Sequence, residues 1–201
     1  MQKTLSAAVL TVLLAVRAAS GGTVEVQNFR GPTVDAFFAS TDPSGCIGTD
    51  VLLSASGNLQ GHSTAGSEAT VIVDRFDTCN GTELLTAFGS VELGEGDLVE
   101  TRRLTSAALT TNVEVLDLVS GTPLTLAIDL HWSGSGDLLT GTSHSHERVG
   151  PFIFNSRFSG SFREAEASGS VSDGTTNLTP EPSLFADISF ANAGQVTVEQ
   201  R

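Results

Sequence analysis

Tyrosine is missing from this chain of 201 residues, tryptophan occurs once and cysteine twice. Lysine is present only as Lys3. If residues 1–20 are removed as a leader, Lys3 and Arg17 go with them, the formal charge moves from −13 to −15, and eight arginines remain as the only fixed cations. A chain so poor in cations cannot build the basic patch that nucleic acid or an anionic membrane surface requires for counterion release. The lack of tyrosine and near lack of tryptophan argues against stacking-type sugar binding. It also argues against a glycosidase, although Glu164 and Glu166 fall on one strand face.

Other patterns are absent too. There is no GxSxG nucleophile elbow and no DxDxDG calcium loop. No CxxC pair supports redox chemistry. No segment sustains a helical period, and no apolar run reaches the roughly 20 residues of a spanning helix.

What is there begins with MQKTLSAAVLTVLLAVRAAS, in which Lys3 precedes an uncharged run from Thr4 to Val16 and small residues follow. That layout is a secretory signal peptide over residues 1–20, cut after Ser20. The expected location is therefore secreted or otherwise extracytoplasmic. In such a compartment Cys46 and Cys79 should join in one disulfide. Closing a loop of about 34 residues stabilises a fold by on the order of 3 to 4 kcal/mol.

Residues 21–201 read as a single all-β domain. The expected architecture is an antiparallel β-sandwich or jelly-roll-like fold of about ten strands, with a closed β-barrel as the alternative. LTLAIDLHW is the clearest strand, with Leu124, Leu126, Ile128, Leu130 and Trp132 on one face. In PFIFNSRFSGSF, the residues Phe152, Phe154, Phe158 and Phe162 share one parity, expected to be the core side. LFADISF and VTVEQ, linked by ANAGQ, should form a closing hairpin. GNLQGHSTAGS and SDGTTNLTPEPS read as loops.

Three of the four histidines fall within HWSGSGDLLTGTSHSHER. If SGSG turns a hairpin, His131 faces Leu139 and His144 faces Leu126, about 16 Å apart on the ladder and on opposite sides of the sheet. One metal ion cannot then hold all three histidines. His144 and His146, spaced as HxH, remain a candidate pair for a divalent metal, with Glu147, Asp129 or His62 as further ligands. Gly141 and the polar run TSHSHER favour a solvated loop there instead.

The functional expectation is a secreted, noncatalytic β-sandwich module with a surface, matrix or ligand-binding role, needing no cofactor. Its partner is an unnamed macromolecule or small ligand, not nucleic acid. One rival is a metal-dependent extracytoplasmic enzyme centred on His144 and His146. The other is a binder of an apolar small molecule.

Overall fold

A computed structural model describes residues 23–57, 67–101, 103–150 and 152–200. The leader at 1–20 and His62 lie outside these residues. The described residues form ten strands and no helix. They are β1 Thr23–Thr41, β2 Ile47–Ser56, β3 Glu68–Asp77, β4 Thr82–Glu92, β5 Leu98–Glu100, β6 Ser106–Asp117, β7 Pro123–Gly134, β8 Leu139–Val149, β9 Phe152–Ser172 and β10 Phe185–Gln200.

All pairings are antiparallel and belong to one sheet, ordered β10-β1-β2-β3-β4-β6-β7-β9-β8, with β5 beside β6. A further pairing of β10 with β9 brings the order back to its start, so the sheet folds over one core. The ring is thinnest between β4 and β6, where only Ala87↔Asp117 and Phe88↔Leu116 are in register. Gly89 lies at this crossing, and a Cβ there would meet the Glu114 carbonyl oxygen at 2.4 Å. The fold is thus sandwich-like, not a regular barrel.

The core is built from strand alternation. Val34, Ala36 and Phe38 of β1 face inward, with Val51, Leu53 and Ala55 of β2, Val71 and Val73 of β3, and Val113 and Val115 of β6. Leu126, Ile128, Leu130 and Trp132 of β7 are at most 2 % exposed, as their alternation predicts. The Trp132 indole N–H crosses the interior to donate to the Asp35 carbonyl at 3.0 Å, which satisfies its one polar atom.

Hairpin loops are organised by aspartates placed at their starts. Asp42 accepts from the Cys46 and Ile47 amides, Asp77 from Cys79 and Asn80, Asp117 from Val119 and Ser120, and Asp173 from Thr175 and Thr176. Such Asx turns mimic a backbone turn. Side-chain hydrogen bonds from Ser44, Asn80 and Ser120 first, and these amide bonds second, hold the Asp42, Asp77 and Asp117 carboxyls below their usual range, and Asp173, despite opposing burial, is lowered by Thr175 and Thr176. The DGTTN run is therefore a turn. Cys46 and Cys79 sit in two of these loops and are bonded, with Cα atoms 5.2 Å apart.

Four expectations need correction. SGSG is not a hairpin turn: β7 and β8 run in the same direction, and both pair with β9, β7 with its C-terminal half and β8 with its N-terminal half. The hairpin is instead β8–β9, turning at Gly150 with φ +61°. TSHSHER is strand, not loop, because β9 is long enough to template it. ANAGQ does not reverse the chain, since β10 runs through it with a bulge between Ala191 and Ala193 and keeps both neighbours.

The fourth correction concerns the phenylalanines. The inward residues at the end of β9 are Ala165, Ala167 and Val171, so Phe152, Phe154 and Phe162 have the opposite, outward parity and are only half-buried. The Phe158 side chain lies outside the description.

Candidate binding face

The outward faces of the strands ought to be polar, and most positions are. Phe37 of β1 faces Phe185 of β10 on one side and Leu52 of β2 on the other. Leu52 faces Ile72 of β3, Ile72 faces Phe88 of β4, and Phe88 faces Leu116 of β6. Phe185–Phe37–Leu52–Ile72–Phe88–Leu116 is therefore one row running across six adjacent strands.

The row is open to solvent. Phe185 and Phe88 are each 55 % exposed, Leu116 49 % and Leu52 47 %, while Phe37 and Ile72 are half-buried between them. At an inter-strand spacing of about 4.8 Å, six strands give a row roughly 24 Å long. Leu184, just before Phe185, and Leu118, two residues past Leu116 and level with Thr86, are exposed too. Single exposed apolar residues are ordinary, but continuous ones on adjacent strands are not.

Polar rows border this one. Asp35 and Asp187 face each other two residues away on one margin, and Asp50 faces Asp74 on the other. Glu164 of β9 faces Asp187 from the far side, extending the first margin. Asp187 is only 8 % exposed despite its outward parity. Burial first, and the like charge of Asp35 second, push its carboxyl up to about 7.

The predicted site residues fall elsewhere. His144, His146 and Glu147 are all exposed on β8. His144 and His146 share a face, opposite Arg157 and Asn155 of β9, whereas Glu147 points to the other face, opposite Phe154. The His146 Nδ1 lies 2.6 Å from the Asn155 Oδ1, a hydrogen bond across the strand pair. His131 faces Ser168, eleven residues along β9 from Arg157, so it is about 36 Å from His144 along the ladder. Its neighbour is Asp129, at 3.7 Å, with both side chains exposed. Among the described residues no three histidine, cysteine or carboxylate groups are placed to hold one metal ion.

Comparison with known proteins adds little. No family model matches the sequence, and no curated protein does. A crystal structure from Nitrosomonas europaea, provisionally named AttH, is similar at 14 % identity and a TM-score of 0.30, covering 86 % of this chain and 52 % of that one. The present chain thus spans about half the length of that protein.

The apolar row has a sequence signature that a search for alternation passes over. An apolar residue that should be polar adjoins inward apolar ones, on both sides in Val51-Leu52-Leu53 and Val71-Ile72-Val73 and on one side in Ala87-Phe88 and Val115-Leu116. Each such break, taken alone, reads as a strand buried on both faces. Only register shows that the breaks line up.

Proposed function

We propose that the protein is a secreted, noncatalytic binding module that follows a cleaved leader and acts through the outer face of its sheet. The observation that supports this reading is the solvent-exposed apolar row from Phe185 to Leu116. Removing such a surface from water is favourable by about 25 cal/mol per Å². Left uncovered it is a liability for a soluble chain, and continuous patches of this kind mark interaction sites.

Two further facts agree with the reading. Large apolar side chains, Trp132, Phe38, Leu53 and Leu109 among them, are buried inside the folded sheet, and the row is apolar surface left on its outside. The disulfide suits an oxidising, extracytoplasmic compartment.

The neutral dye Nile red tests the proposal. It should fluoresce on the native chain and lose most of that signal on the double variant Leu52→Ser, Phe88→Ser. Undiminished fluorescence on a folded double variant would overturn the external face and favour a small-molecule pocket inside the sheet.

A further inference from the structure

We infer that the apolar row seats a positively charged polypeptide segment of a partner protein, with apolar side chains on the row and cations over its acidic margins. This rests on the reading of the row as a binding face and adds the chemistry of what binds there.

Charge on the two margins selects the partner. Asp35 faces Asp187 across β1 and β10, and Asp50 faces Asp74 across β2 and β3, each pair two residues from the row. That distance is about 7 Å, so the exposed Asp50 and Asp74 and the half-buried Asp35 are within reach of a lysine or arginine whose neighbours sit on the row, while Asp187 is buried. Farther out, Glu68 of β3 faces Glu92 of β4. Glu114 stands two residues before Leu116 on β6 and is exposed. Like charges directly opposite on adjacent strands are destabilising, so the exposed pairs Asp50–Asp74 and Glu68–Glu92 weaken the isolated sheet. A cationic partner turns that repulsion into attraction.

No base on the same surface competes. From residue 31 of β1, through β2, β3, β4 and β6, and over 185–191 of β10, Arg75 is the single cationic residue. It has the inward parity of Val71 and Val73, not that of Ile72, and is half-buried.

The same features exclude two other occupants. A second copy stacked on this face would set acidic margins against acidic margins. A phospholipid surface is flat and commonly anionic, whereas this row follows the outside of a sheet curled over its core. A polypeptide can bend with the curve. At about 3.3 Å per extended residue, roughly eight residues cover the row.

The experiment uses the disulfide-bonded chain and three labelled peptides of about eight residues, built from Lys-Leu, Ser-Leu and Glu-Leu repeats, with binding read by fluorescence anisotropy. The Lys-Leu peptide should bind best and weaken several-fold between about 0.05 and 0.3 M salt. Leu52→Ser with Phe88→Ser should weaken it about tenfold. Asp50→Asn with Asp74→Asn should weaken it too, flatten its salt dependence and leave the Ser-Leu peptide unchanged.

Equal binding of the Ser-Leu or Glu-Leu peptide, lost in the Leu52→Ser, Phe88→Ser variant, would overturn the cationic partner while leaving the binding face standing. Lys-Leu binding that the apolar variant does not change would overturn both, since the peptide would then be held by charge elsewhere. Absence of binding by all three peptides would overturn the inference, and the Nile red result decides separately whether the face itself survives.

Discussion

Strands β7 and β8 make an instructive pair. They run in the same direction, lie end to end along one edge of β9, and pair with it through eight and eleven registered residues respectively. From Leu126 to Trp132, β7 alternates buried and exposed, whereas all eleven residues of β8 are exposed. Hydrogen bonding to a neighbour therefore makes a strand but does not make a core. What β7 has and β8 lacks is the rest of the folded sheet in front of it, supplying Val34, Val51 and Leu109. The amino acids follow suit: LTLAIDLHW alternates in hydrophobicity, while LTGTSHSHERV has nothing to bury.

Charge insertion breaks this comparison most severely. Ile128→Asp places an unpaired carboxylate at a site that is 2 % exposed and should cost more than about 4 kcal/mol, enough to unfold the domain. Ser145→Asp at the middle of β8 should stay within about 0.5 kcal/mol. Circular dichroism melts of both variants check this, and native-like melting of Ile128→Asp would mean that inside and outside are assigned the wrong way round.

A smaller effect is expected at the tethered end of the core, which the β8–β9 ribbon has no counterpart for. Reducing Cys46–Cys79, or replacing both with serine, should cost on the order of 3 kcal/mol and lower Tm. Two reactive thiols in the unreduced protein would show that the bond does not form.

The most graded effect comes from Asp187. Its folded pKa, about 7, lies above its ordinary value, so between these values the folded state binds more protons than the unfolded. Its contribution is then fully present below about pH 4, is lost as pH rises towards 7, and changes little beyond. Asp42, Asp77 and Asp117 act in the reverse sense, contributing above their unfolded pKa and losing that contribution as pH falls through their lowered values. Stability should therefore peak on the mildly acidic side. Asp187→Asn should remove the decline between pH 4 and 7 and raise Tm at pH 8. A profile of the Asn variant that still declines would assign the effect to another group.

Much was legible in the residues alone. The strand class, the inward row of β7, the two cysteines as partners and the loop beginning at SDGTTN all follow from local patterns: a period of two, two thiols in a chain that opens with a leader-like segment, an aspartate ahead of small polar residues. The errors had a common source. SGSG and ANAGQ carry turn residues, yet each lies where a long partner strand continues past it, and a bulge or short detour costs less than abandoning the ladder. In β9 hydrophobicity does not mark the inward side, because the core-facing positions are Ala165, Ala167 and Val171 and Phe152, Phe154 and Phe162 alternate with that parity.

Local chemistry set which segments extend, where aspartates cap the loops and which strand has a clean apolar face, because those properties depend on residues within a few positions of one another. Register and closure belonged to the tertiary structure. Six apolar residues from six strands, scattered from position 37 to 185, became one surface only when those strands aligned. The same alignment set acid against acid beside them. Such juxtapositions depend on non-local pairing, for which a single strand's pattern contains no coordinate.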